Sequence, residues 1–88
     1  MKASFTTAAW NDYCLWAEQR DPKAGRIDRL IENCMARPAG SIGNPKPLFA
    51  EQAGWWSRRI DGEHRLVYRI AGTKDDPVLE IAQCRFQY

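Results

Sequence analysis

Four arginines, Arg58, Arg59, Arg65 and Arg69, fall within residues 55–70, and a fifth, Arg85, precedes a short tail, Gln87-Tyr88. A guanidinium is planar, stays charged at any physiological pH and grips phosphate oxygens in pairs. An aromatic ring such as that of Tyr88 stacks on unpaired bases. Arginines on an open strand face beside an aromatic tail therefore suit a phosphate-rich single strand, RNA or DNA, better than a duplex. No helix-turn-helix pattern or basic recognition helix accompanies them. A second reading stands beside the first: Arg58, Arg59, Arg65 and Arg69 pair across strands with Asp61, Glu63 and Glu80. Spacing alone leaves both open.

Period-2 alternation says how these side chains are carried. In the run from His64 to Ile70, His64, Leu66, Tyr68 and Ile70 point one way and Arg65, Val67 and Arg69 the other. The first set is predicted to meet the helices and the second to face outward. Arg58 and Arg59 must face opposite sides, so at least one joins Arg65. Arg85 and Gln87 share a face. His64, on the apolar side, is expected to be buried and hydrogen-bonded rather than catalytic. Trp55 and Trp56 oppose each other, one for the core and one free for an interface.

The elements follow from the same patterns. Residues 2–6 form a short strand, and Thr6 or Thr7 caps a helix over about 8–19. Asp21-Pro22 starts a second helix, in which Ile27, Leu30, Ile31, Cys34 and Met35 make an unbroken apolar stripe. Arg37-Pro38 ends it. Residues 38–47, rich in Pro and Gly, form a loop long enough to serve function. A short edge strand is expected over about 48–53, then firmer strands over about 55–60, 64–70 and 78–86, with a tight turn at Asp61-Gly62-Glu63. The fold class is α+β, a two-helix hairpin packed on a small antiparallel sheet.

Composition narrows the function classes. The chain has 88 residues, 44% hydrophobic and 27% charged, which suits one globular domain over 1–88 and excludes a disordered chain. No apolar run approaches the roughly 20 residues of a membrane span. Met1-Lys2-Ala3-Ser4-Phe5 lacks the apolar stretch of a secretory signal, so a cytoplasmic protein is expected. Cys14, Cys34 and Cys84 match no metal or redox spacing and are expected to be reduced thiols. With His64 the sole histidine, no metal or other cofactor is expected. The net charge of +2 is too small to name a partner, but residues 55–70 carry four Arg against Asp61 and Glu63, which accounts numerically for the whole excess.

The runs Trp56-Ser57-Arg58-Arg59-Ile60, Glu63-His64-Arg65-Leu66-Val67-Tyr68 and Cys84-Arg85-Phe86, with Tyr88, resemble the YoeB/Txe toxins of the RelE superfamily. Gly43-Asn44-Pro45-Lys46-Pro47-Leu48 is similar to that family's Gly-Lys-Pro-Glu-Pro-Leu segment. The likeness covers essentially the whole chain. It implies a RelE-like β-α-α-β-β-β fold and a bacterial type II toxin, an mRNA endonuclease that acts in the ribosomal A site and inhibits translation. It also implies a cognate YefM-like antitoxin that wraps a disordered segment around the toxin, and a homodimer.

Three residues depart from the family pattern: Lys46 stands where Glu is usual, Phe49 where Lys is usual, and Gln87 where His is usual. In the family's scheme that Glu draws the proton from the ribose 2′-OH, that His protonates the leaving 5′-oxygen, and the arginine at position 65 steadies the phosphorane. Lys46 and Gln87 cannot inherit the first two roles unchanged, because Gln has no titratable proton and Lys is a base only when its pKa is lowered. The resemblance then implies a more RelE-like scheme. Lys46, Arg65 and Tyr88 are its catalytic residues, and Arg58, Arg59, Arg85 and Gln87 bind substrate. The alternatives are an attenuated toxin that binds antitoxin and ribosome without efficient cleavage, or a non-nuclease inhibitor of another target such as DNA gyrase.

Overall fold

A computed structural model describes residues 1–37 and 42–86. The order is β1 (Lys2–Phe5), α1 (Thr7–Glu18), α2 (Pro22–Ala36), β2 (Lys46–Pro47), a 3₁₀ turn (Ala50–Gln52), β3 (Trp56–Arg59), β4 (Arg65–Gly72) and β5 (Pro77–Gln83). Helix α1 starts where Thr6, in extended conformation, accepts the Ala9 N–H at 3.1 Å. Helix α2 starts where Asp21 accepts the Lys23 N–H at 2.9 Å, with Pro22 in the first turn, where a missing N–H costs nothing. Its stripe of Ile27, Leu30, Ile31 and Cys34 is buried.

The five strands form one sheet in the order β1-β5-β4-β3-β2. The β2–β3, β3–β4 and β4–β5 pairs are antiparallel, but β1 runs parallel to β5, so the sheet is mixed rather than wholly antiparallel. No hairpin turn sets the direction of β1, because the helix pair carries the chain away from it before the other strands form. The expected edge strand over 48–53 also moves: the edge strand is Lys46–Pro47, and one further hydrogen bond, from the Leu48 N–H to the Trp55 carbonyl at 2.9 Å, ends the pairing with β3. Ala50, at φ 58°, then turns the chain into the 3₁₀ segment.

Both helices cover one face of the sheet. Ala9 and Trp16 from α1 join Ile27, Leu30, Ile31 and Cys34 from α2, and Leu66, Tyr68, Leu79, Ile81 and Cys84 from the sheet side. His64, Leu66 and Tyr68 are buried on that face, as alternation predicts. Ile70 shares their side but is exposed, because β3 begins opposite Tyr68 and leaves β4 without that neighbour beyond it. Val67, expected to face solvent, is buried, as is Leu48; neither belongs to the main core cluster.

Candidate nucleic-acid interface

The register places the basic side chains. Arg59 faces Arg65 across β3–β4. The Arg59 N–H donates outward to Gly43 O at 2.6 Å, and the Arg65 N–H donates outward to Phe86 O at 3.0 Å. They therefore form a non-hydrogen-bonded antiparallel pair, the arrangement in which Cα atoms lie closest, at about 4.5 Å. One step along the strands, Lys46, Ser57, Val67 and Gln83 line up across four strands on the same face. Lys46 and Arg65 are thus two strands and one step apart, about 10 Å laterally by strand spacing.

Like charges directly opposite on a sheet repel. Among the described residues, neither Arg59 nor Arg65 makes an ion pair with a carboxylate. Arg65 Nη1 instead donates to the main-chain oxygens of Asp61 at 2.8 Å and His64 at 3.0 Å, which aim the guanidinium without neutralising it. The pair keeps its positive charge and is electrostatically complementary to an anion.

Arg58 is not part of this face. It lies opposite Leu66 and is fully buried, so the expectation that it binds substrate does not match its position. Its guanidinium donates to Tyr68 Oη (3.0 Å), the Arg37 carbonyl (2.7 Å), the Ile42 carbonyl (3.4 Å) and Asn33 Oδ1. These acceptors join β3 to α2 and to the segment before β2. Burial pushes the Tyr68 hydroxyl above its ordinary pKa, partly offset by the Arg58 hydrogen bond. The paired reading of the arginines holds at Arg69, which bonds Glu80 at 3.1 Å and stacks on the Trp55 ring at 4.5 Å. Trp56, on the other face, packs against the core.

Arg85 follows the end of β5, with its guanidinium 4.5 Å from the Phe86 ring centroid and 5.8 Å from that of Trp16. It sits at the border of the sheet, not in the row of Lys46. Gln87 and Tyr88 lie outside the described residues.

His64 behaves as a buried, hydrogen-bonded residue. Its Nδ1 accepts the Phe86 N–H at 2.7 Å, its Nε2 lies 3.3 Å from Glu63 Oε2, and its ring meets Trp16 edge-on at 4.9 Å. The turn beneath it is tied by Asp61. Some burial pushes that carboxyl up, but the Glu63 and His64 main-chain N–H groups donate to it and hold it below its usual range. The sequence reading did not single out Gln83. Its Nε2 donates to the Arg85 and Phe86 carbonyls at 2.8 and 3.0 Å, a role that depends on chain reversal after β5 and leaves no periodic signal.

Among the described residues no three His, Cys, Asp or Glu side chains gather to hold a metal, and no helix is long and apolar enough to cross a membrane. What the face offers is two neighbouring guanidiniums, that of Arg65 aimed by main-chain acceptors, with an ammonium on the adjoining strand. That suits binding of phosphate and stabilisation of charge developing on it.

Comparison with known proteins bears on this arrangement. The family model for the YoeB-like toxin of bacterial type II toxin–antitoxin systems matches residues 5–88. Toxin YoeB of Synechocystis sp. is 49% identical over 89 residues, covering 100% of this chain and 98% of that protein. The solved YoeB/ParE toxin from Agrobacterium tumefaciens superposes with a TM-score of 0.94 at 42% identity, each chain covered in full. YoeB from Staphylococcus aureus is similar both as a dimer (TM-score 0.86, 30% identity) and in a heterotetrameric complex with YefM (TM-score 0.87, 28% identity); each comparison covers 100% of this chain and 98% of that one.

Proposed function

The chain belongs to the YoeB-like toxins of bacterial type II toxin–antitoxin systems, and from that membership we propose that it is a ribosome-dependent mRNA endonuclease that inhibits translation in the cytoplasm. The observation that supports the reading is the Arg59–Arg65 pair, facing outward beside Lys46 with no carboxylate partner among the described residues. In the proposed reaction the ribose 2′-oxygen attacks the adjacent phosphorus and the 5′-oxygen leaves. Arg65 stabilises the phosphorane and Arg59 holds a neighbouring phosphate. Lys46 is the group placed to take the 2′-OH proton. Gln87 has no proton to give, so water protonates the leaving oxygen, and Tyr88 stacks on the base. Arg85 and Gln87 contact the RNA backbone beside the tail. No metal or cofactor is needed for this displacement.

The partners proposed are mRNA in the ribosome, a second copy of the chain and a YefM-like antitoxin; the S. aureus dimer and complex support the last two. A second reading, an attenuated toxin, is favoured by Lys46 itself, an exposed cation where the resembling family usually carries a base. Reconstituted translation separates them. Wild-type chain is expected to cut mRNA on ribosomes, and Arg65→Ala to lose about 10²–10³-fold in rate, the usual cost of removing a transition-state donor. An inactive wild type alongside an active Lys46→Glu/Gln87→His double variant would establish the attenuated reading instead.

A further inference from the structure

We propose that His64 is a positioning residue: its Nδ1 and the Gln83 amide clamp the main chain of Phe86, whose carbonyl accepts the Arg65 N–H, and so hold Arg65 in place on the basic face. The inference rests on the endonuclease reading and deepens it.

Phe86 is held from several directions. Its N–H donates to His64 Nδ1 at 2.7 Å. Its carbonyl accepts from the Arg65 main-chain N–H at 3.0 Å and from Gln83 Nε2 at 3.0 Å. Gln83 Nε2 also reaches the Arg85 carbonyl. Because Nδ1 accepts, the imidazole proton sits on Nε2, which faces the Glu63 carboxylate at 3.3 Å. Edge-on contact with Trp16 at 4.9 Å and burial of His64 leave the ring little freedom.

The clamp holds an unfavourable conformation. Phe86 has φ 61°, in the left-handed region that a bulky side chain seldom occupies, and its half-exposed ring packs only partly, tilted against His64 at 5.5 Å. A residue kept there must be over-determined by its surroundings, and these hydrogen bonds do that. Arg65 follows His64 in the chain, and its main-chain N–H donates to the clamped Phe86 carbonyl. One hydrogen-bonded unit therefore fixes the main chain that carries the arginine.

The test uses the full chain and separates packing from the acceptor. His64→Phe keeps an aromatic ring against Trp16 but removes Nδ1. His64→Asn returns an acceptor at the δ position. For His64→Phe, protection of the Phe86 amide from hydrogen exchange is expected to be lost. The kcat for mRNA cleavage on ribosomes should fall about 10²-fold with KM unchanged within about twofold, the scale expected of misplaced reacting groups. His64→Asn is expected to restore most of both. Gln83→Met, which removes the donations to the carbonyls, gives the same kcat loss and serves should His64→Phe fail to fold. An active wild type with full kcat in a folded His64→Phe, or with Phe86 protection retained there, overturns the positioning role alone. An inactive wild type overturns it together with the endonuclease reading.

Discussion

The guanidinium of Arg58 donates through Nε to the hydroxyl of Tyr68, 3.0 Å away, inside the core and between the helices and the sheet. The neighbouring Arg59 points to the opposite face. Adjacent residues of one type therefore have separate tasks, one holding the fold and one presented to solvent. Replacing Arg58 removes its hydrogen bonds to Asn33, Tyr68 and the Arg37 carbonyl and empties a fully buried position. Arg58→Leu is expected to destabilise the chain by about 3 kcal/mol or more, and Arg58→Lys by about 2 kcal/mol because an ammonium cannot span the same acceptors. Urea unfolding followed by tryptophan fluorescence measures both.

Arg59 should behave in the reverse sense. It is exposed and faces a like charge at Arg65, so Arg59→Ala is expected to change stability by no more than about 0.5 kcal/mol, with relief of repulsion as the favourable part. RNA affinity should fall, and the slope of log affinity against log salt should shrink by roughly 0.7 if one phosphate contact is lost on a single strand. A salt titration of a fluorescent single-stranded RNA reads this. An unchanged slope would place the phosphate contact elsewhere.

The helices were legible because each carries both a start signal and a stripe: Thr6 and Asp21 cap where expected, and Ile27, Leu30, Ile31 and Cys34 are all buried. The inward side of β4 was legible from alternation at His64, Leu66 and Tyr68. The direction of β1 was not, since its partner β5 is distant in sequence and no turn joins them. Nor was the division of the arginines. Period 2 says that Arg58 and Arg59 oppose each other without saying which is inside, because the acceptors of Arg58 other than Tyr68 come from α2, its C-terminal cap and the segment before β2. The charge count over 55–70 therefore overstated the open face: Arg58 is buried and Arg69 pairs with Glu80, which leaves Arg59 and Arg65 outward.

Gly43 sits where the chain crosses α2 on its way to β2. Its φ is 77°, and a Cβ there would lie 2.8 Å from Leu30 Cδ2 and 3.0 Å from Arg58 Cβ. Its carbonyl also accepts the Arg59 N–H. Gly43→Ala combines left-handed strain with a clash against two packed side chains, and is expected to cost about 2–3 kcal/mol. The melting temperature, compared with that of Gly62→Ala, where a Cβ meets nothing within 4 Å, checks the assignment.

Asp61 gives the chain a dependence on acid. Hydrogen bonds from the Glu63 and His64 main chain hold its carboxyl below the usual range in the folded state, even though burial opposes them. A folded pKa below the unfolded one means that the contribution is fully present above the ordinary carboxylate value and is lost as pH falls through the folded value. Asp61 is partly exposed, so the effect is modest. Asp61→Asn should unfold more readily than wild type at pH 7, with the gap closing as the pH drops below the ordinary carboxylate pKa of about 4. Chemical denaturation at both pH values measures the convergence.

Cys34 and Cys84 should be inert in the native state. Burial raises the thiol pKa of both, and that of Cys84 is pushed up to about 12, while its sulfur donates to the Ala9 carbonyl at 3.3 Å. The thiolate is the nucleophile, so a thiol held protonated and enclosed cannot compete for an alkylating reagent. Cys14, half-buried on α1, has more access. Iodoacetamide at neutral pH is therefore expected to modify Cys14 first, with Cys34 and Cys84 reacting only as the chain opens. Mass spectrometry of the native protein should show a single adduct, rising to three in denaturant. Early modification of Cys84 would mean that the contact between α1 and the end of β5 opens locally, well below the free energy of global unfolding.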